Sequence, residues 1–341
     1  MILLGAATSA EALERGADLS FLPQVEAGGA DFGGDLIEGL AARGLDAVRL
    51  RVWHSPPDGA NGRAATLALA DRVHRAGLEI LLDLHYSDGW ADPGHQTPPA
   101  AWAGLEVGAL ADSVRTWTCD LLEAFDTAGL PVASVQIGNE ITNGMLWPVG
   151  RVGGRFDRAA QWENLAALLR AGIDGARAAA PATKIVLHVD RGGDPEGARW
   201  FFDNLGRFAL DFDQIGLSFY PWWHGTLDDL DATLRLLSAR TDREVVLVET
   251  AYPWTLKWFD ETHNPVGLPS HALPGFPPTP AGQRDFTAAL IERLEVAGVV
   301  GVYWWAPEWI ATPGFGSAGE NLTLFDPAGR PLPALETFLR D

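Results

Sequence analysis

Two glutamates stand where they could work as a pair. Glu140 closes the stretch Val135-Gln-Ile-Gly-Asn-Glu140, and Glu249 closes Val245-Val-Leu-Val-Glu249. Each follows an apolar, β-branched run of the kind that forms a buried strand, so each carboxyl is delivered at a strand's C-terminal end. A lone acidic residue in such a place is ordinarily a solvated strand end. Here the amide of Asn139 adjoins the first glutamate, and Met145 and Trp147 give the loop after it an apolar face. A carboxyl pair suits retaining glycoside hydrolysis, in which one acid protonates the leaving oxygen and the other attacks the anomeric carbon across a gap of about 5–5.5 Å. The two environments must differ enough to keep one carboxyl protonated and the other ionised.

The elements that must position this pair repeat along the chain. Short β-branched runs near 16–20, 46–52, 78–85, 133–139, 184–190, 213–219, 244–249 and 299–305 alternate with amphipathic segments near 35–43, 65–76, 107–128, 157–180, 195–207, 227–239, 281–297 and 333–340. Eight β-α rounds without an intervening linker predict an α/β fold, a single (β/α)8 TIM barrel spanning residues 1–341 as one catalytic domain. In such a barrel the reactive groups gather just after the strands. Ten of the fourteen tryptophans do so: Trp53, Trp90, Trp147, Trp222, Trp223, Trp254, Trp258, Trp304, Trp305 and Trp309. Aromatic faces at a barrel mouth suit the apolar faces of pyranose rings. Trp117, Trp162 and Trp200 lie on predicted helices and read as core.

Other polar residues share the strand ends. Arg49 and Arg51 fall on one face of the second strand, and an inward arginine needs a carboxylate, either the nucleophile or a structural partner such as Asp83 or Glu26. Asp83 and His85 share a face of the third strand, with Tyr86, Asp88, Trp90 and Asp92 in the loop beyond. Tyr220 ends the sixth strand, placed to hydrogen-bond a carboxylate. A catalytic metal is the competing use of this barrel, but no His-x-His occurs, and His85, His188 and His224 fall at no ligand spacing. Asp260-Glu-Thr-His-Asn264 offers only a weak calcium pattern. No phosphate-binding glycine loop is present, so nucleotide chemistry has no support. No cofactor is expected.

A net charge of -20, from 25 basic and 45 acidic residues, disfavours nucleic acid and anionic membranes as partners and favours a neutral substrate. The only cysteine, Cys119, excludes an intrachain disulfide. The N-terminal stretch has no basic region and only a short apolar run, reading as neither signal peptide nor membrane span. A cytoplasmic protein, or a secreted one whose leader is absent, is expected.

With these residues in hand the sequence resembles the arabinogalactan endo-β-1,4-galactanases of glycoside hydrolase family 53. The matching stretches include GADLSFLPQVEAGG at 16–29, VRLRVW at 48–53, LHYSDGWADPGHQ at 84–96, QIGNEITNGMLWPVG at 136–150, DQIGLSFYPWWHG at 213–225, VVLVETAYPWT at 245–255 and GVYWWAPEWI at 301–310. The resemblance implies Glu140 as acid/base and Glu249 as nucleophile. It implies that Asn139, Arg51, His85, Tyr220 and Trp305 line the subsite of the cleaved sugar, with Asp18, Trp53, Trp90 and Trp223 nearby. The implied partner is β-1,4-galactan or galacto-oligosaccharides, cut internally. Another β-glycanase of the same clan, a mannanase or glucanase, is the alternative, and a non-catalytic carbohydrate-binding barrel the rival of another class. The chain departs from the family pattern at Ala306-Pro-Glu308-Trp309, where Glu-Pro-Ala-Trp is common, and at Gly319, usually tryptophan. Both changes are expected near outer subsites. The loop from Leu256 to Pro280 lacks the Asp-rich calcium run of some members, so no required metal is expected.

Overall fold

The eight apolar runs become eight parallel strands in a computed structural model that describes residues 12–339. They are β1 (Glu14–Asp18), β2 (Ala47–Val52), β3 (Glu79–Leu84), β4 (Ser134–Ile137), β5 (Lys184–Val189), β6 (Gln214–Phe219), β7 (Glu244–Thr250) and β8 (Gly301–Trp305). They pair in the order β1-β8-β7-β6-β5-β4-β3-β2 and close on themselves. Long helices follow most strands, among them Arg63–Arg75, Val107–Thr127, Ala159–Ala179, Pro195–Leu205, Leu227–Ser238 and Pro280–Ala297. The (β/α)8 barrel expected from the alternation is the fold.

Period-two alternation sorts each strand's side chains. Outward residues such as Val48, Leu50, Leu82, Val135 and Leu187 pack under the helices in the main core. Inward residues Ala47, Leu81, Val186, Val246, Val248 and Tyr303 form a separate apolar plug in the barrel's interior. Burying each of its leucine and valine side chains contributes about 1.5–3 kcal/mol. Gly16 makes room for the plug, since a Cβ there would lie 2.3 Å from the Tyr303 ring. Above the plug the inward positions turn polar: Asp18, Arg49, Asp83, Gln136, His188, Ser218 and Glu249. The plug is an apolar floor, and this belt is the site's foundation.

β1 starts and ends two residues before the expected 16–20. Glu14 is drawn into the sheet by the Tyr303 hydroxyl, and the chain leaves it at Asp18, whose carboxylate accepts from the Ser20 N–H at 3.0 Å. The short helix Leu22–Ala27 and a two-stranded ribbon, Gly144–Met145 with Gly150–Arg151, were not expected from periodicity because each is too short to show one.

Candidate active site

Glu140 lies just past β4 with φ of 47°, a left-handed conformation that a side chain adopts only at a cost of order 1–3 kcal/mol. The local sequence explains the turn. Gly138 (φ 84°) breaks the strand, and a Cβ there would lie 2.6 Å from Ile141. Asn139 is then clamped: its Nδ2 donates to the Ala91 carbonyl (2.9 Å), its Oδ1 accepts from Arg49 (3.0 Å), and its carbonyl accepts from Gln96 (2.8 Å). Glu140 is over-determined by these bonds, and its own Oε1 accepts from Ser218 Oγ at 2.7 Å.

Glu249 reaches the interior by a different device. Alternation from Val246 and Val248 would turn it outward, but the pairing with β6 runs Leu217 to Leu247 and then Ser218 to Glu249, skipping Val248. This bulge lets two consecutive residues face inward, the valine into the plug and the glutamate into the polar belt. There Glu249 Oε1 meets Arg49 Nη2 at 2.8 Å, and Oε2 accepts from the Tyr220 hydroxyl at 2.9 Å. Ser218 Oγ is 3.5 Å from the same Oε2. One hydroxyl thus lies 2.7 Å from a Glu140 oxygen and 3.5 Å from a Glu249 oxygen, so these oxygens are no more than about 6 Å apart.

The two carboxyls sit in unequal fields. Burial raises Glu140 well above the ordinary carboxylate range, and the Glu249 and Asp190 charges add to the effect. Burial raises Glu249 too, but Arg49 and the Tyr220 hydroxyl pull against it. The pair is therefore polarised, with Glu140 favoured to hold a proton and Glu249 to be the anion.

Arg49 organises the belt. Besides Glu249 it bonds Asp18 (2.7 Å) and Asp83 (2.9 Å), one guanidinium among three carboxylates and only 1% exposed. Burial opposes ionisation of Asp83, but Arg49 and the His85 ring hold it down at about 2. Glu26, the other partner considered for the β2 arginines, is held by Arg72 instead. Replacing Arg49 with Met should leave carboxylates buried without compensation and lower unfolding free energy at pH 7 by about 3–5 kcal/mol, measured by urea denaturation. Asp83's folded pKa lies below its unfolded value of about 3.9, so its share of stability is full above about pH 4 and lost as pH falls toward 2. The difference between wild type and Arg49→Met should narrow over that window.

A cleft of about 170 Å³ opens above the belt. It is lined by Glu140, Glu249, Asn139, Arg51, His85, Tyr220, Trp305, Trp90 and Trp223, nine of the eleven residues singled out from the sequence. Asp18 lies beneath, holding Arg49. Trp53 stands behind, edge-on to Trp90 at 5.5 Å. Arg51 makes no ion pair among the described residues. Its guanidinium is stacked 4.0 Å from the Trp90 ring and 4.6 Å from Phe21, with Nε and Nη2 lacking hydrogen-bond partners among the described residues. His85 is fully committed, Nε2 to Asp83 (2.8 Å) and Nδ1 to the Ala91 N–H (3.1 Å), so it braces the cleft wall with no ring nitrogen to spare.

Of the tryptophans at strand ends, Trp90, Trp222, Trp223 and Trp305 line the cleft. Trp304 points out of the barrel, fully buried against Phe338, because it alternates with Trp305. Trp309 stacks on Phe21 at 3.9 Å. Glu308 is wholly buried, its oxygens without hydrogen-bond partners among the described residues, and burial pushes it well above the carboxylate range, so it meets no outer subsite. At Gly319 a Cβ would come 3.2 Å from Trp309 and 3.4 Å from Trp305. The loop weighed for calcium is held by protein groups: Asp260 accepts from Ser317 N–H (2.8 Å), and Glu320 accepts from Phe259 N–H (2.6 Å) and Asn264 (3.2 Å). Ser218 and Asp190 were missed, and only the inward face shared by Gly216, Ser218 and Tyr220 could have pointed to the serine.

A closed barrel with two unequally biased glutamates at the ends of its fourth and seventh strands, Glu249 buried and Glu140 half-buried, under an aromatic-walled cleft, defines a glycoside hydrolase. Residues 14–338 match the glycosyl hydrolase family 53 profile. The chain belongs to that family. It is 35% identical to the arabinogalactan endo-beta-1,4-galactanase of Humicola insolens, over 88% of this chain and 89% of that one. The family 53 catalytic domain of Ignisphaera aggregans superposes with a TM-score of 0.89 at 35% identity, covering 95% of this chain and 94% of that one. A structure from a study of two fungal beta-1,4-galactanases gives 0.84 at 32% identity, with coverages of 96% and 99%. Among the described residues no helix is long and apolar enough to cross a membrane.

Proposed function

We propose that this chain hydrolyses β-1,4-galactan internally and with retention. Glu249 attacks the anomeric carbon while Glu140 gives its proton to the departing glycosidic oxygen. A galactosyl ester on Glu249 results. Glu140, now ionised, takes a proton from water as that water attacks the same carbon, releasing the sugar and restoring both carboxyls. The observation that carries this reading is the polarised pair bridged by Ser218, with oxygens within about 6 Å, because inverting enzymes hold their carboxyls about 6.5–9.5 Å apart to admit water.

The substrate rests on the relatives, which are named galactanases. The cleft is compatible with it: Trp90 and Trp223, 44% and 63% exposed, offer faces for sugar rings. Polymer outside the cell would require an exported enzyme, whereas imported galacto-oligosaccharides would suit a cytoplasmic one. The test is product analysis of unbranched β-1,4-galactan, β-mannan and β-glucan incubated with the protein and a chelator. Short galacto-oligosaccharides from galactan alone are expected. Release from mannan or glucan with galactan untouched would refute the substrate assignment.

A further inference from the structure

Ser218 has one hydroxyl proton and two carboxylates to give it to. Its Oγ lies 2.7 Å from Glu140 Oε1, 3.5 Å from Glu249 Oε2 and 2.8 Å from His188 Nε2. The direction of these bonds is set on the far side of the imidazole. His188 Nδ1 faces the Glu140 backbone N–H at 3.3 Å and the Gln136 side-chain nitrogen at 2.9 Å, both able only to donate. The Gln136 amide cannot be turned over, since the same nitrogen also bonds Asp83 Oδ1 at 2.6 Å. Asn139 Oδ1 is also 2.9 Å from His188 Nδ1, but it is served by Arg49 Nη2 at 3.0 Å. Nδ1 therefore accepts. Burial and the Arg49 charge keep this histidine neutral, so its one ring proton is on Nε2 and is donated to Ser218. The serine's own proton is left for a carboxylate.

We infer that Ser218 is a positioning residue whose hydroxyl proton follows the negative charge between the two glutamates. While Glu140 is protonated, before attack, the hydroxyl turns to Glu249. Once Glu140 has given up its proton, the hydroxyl turns to Glu140. Only rotation about the Cβ–Oγ bond is needed, and His188 anchors the oxygen in both positions. One anchored hydroxyl thus serves both half-reactions. The inference rests on the two-glutamate reading above.

The test is Ser218→Ala in the full chain. In the pH profile of kcat/KM on galactan, the acid limb reports protonation of the nucleophile and the alkaline limb ionisation of the acid. A hydroxyl that donates to the ionised form lowers that group's pKa, so its loss raises both. The alkaline limb should move up by about one pH unit, given the strength of a hydrogen bond to a charged group, and the acid limb by less across the longer contact. The other charged and titratable groups facing the pair stay in place: Asp18 on β1, Arg49 and Arg51 on β2, Asp83 and His85 on β3, His188 and Asp190 at β5, and Tyr220 beyond β6. Ser218→Thr, which keeps the hydroxyl, should restore the limbs. A Ser218→Ala profile lowered but not displaced would mark a packing role and overturn the inference. The same question has an answer without substrate. Carbon-13 titration of glutamate-labelled protein, read as the pair's two shared steps, should show the upper step raised in Ser218→Ala, and unmoved steps overturn the inference whichever sugar is cut. Inactivity of wild type on galactan would instead count against the galactanase reading alone. If alanine prevents folding, Ser218→Cys, a near-isostere and poorer donor, should give the same displacement.

Discussion

Glu249→Ala should lower kcat on β-1,4-galactan by on the order of 10⁴-fold or more, the loss expected when a covalent route is removed and binding is left intact. The fold should survive. Without this carboxylate Arg49 still meets Asp18 at 2.7 Å and Asp83 at 2.9 Å, so its charge remains compensated. Thermal melting separates this variant from Arg49→Met, which should melt much lower. Glu249 is also the largest electrostatic contributor holding Glu140's proton on, after burial, so residual activity should lose its alkaline limb at a lower pH than wild type. The vacated space adjoins Arg49 and the Tyr220 hydroxyl, a cationic and hydrogen-bonding cradle that a small anion fits. Azide added with an activated aryl β-galactoside should attack from the nucleophile's face and yield the α-galactosyl azide, identified by NMR. A variant retaining a tenth of wild-type kcat would mean that Glu249 is not the nucleophile.

Much of this arrangement was legible in the sequence because it depends on strand ends. A parallel barrel buries its strands on both faces, which leaves β-branched runs with abrupt polar termini, and both glutamates sit at such termini. What alternation could not supply was direction. Counting by twos from Val246 sends Glu249 outward, and only the bulge at Val248 turns it in. The two arginines of β2 share a face, so the sequence left open which would reach the nucleophile. Depth decides it: Arg49 lies one inward step lower, where its guanidinium reaches Asp83 and Glu249, while Arg51 rises into the aromatic wall. Tryptophan position was half informative, since Trp304 and Trp305 are neighbours on opposite faces of one strand. Ser218 stayed hidden because a small hydroxyl residue inside a strand carries no charge or periodicity of its own.

Glu140→Gln should separate the two half-reactions. Hydrolysis of galactan, whose leaving sugar needs a proton, should fall by about 10²- to 10⁴-fold. With a dinitrophenyl β-galactoside the leaving group needs no proton, so attack by Glu249 should stay fast while water, without its base, attacks slowly. A burst of dinitrophenol followed by a slow steady state is the expected trace, and mass spectrometry should find the galactosyl ester on Glu249. Equal losses on both substrates would deny Glu140 the acid's role. Stability should move the other way. Glu140's folded pKa is raised above its unfolded value of about 4.3, so ionisation favours the unfolded chain as pH rises through that window. Glutamine keeps an oxygen for the Ser218 hydroxyl and removes the titration, so at pH 7 the variant should melt at or above the wild-type temperature. Lower activity with undiminished stability is what a carboxyl held protonated by burial for acid catalysis should give. A carboxyl retained for packing would lose both together.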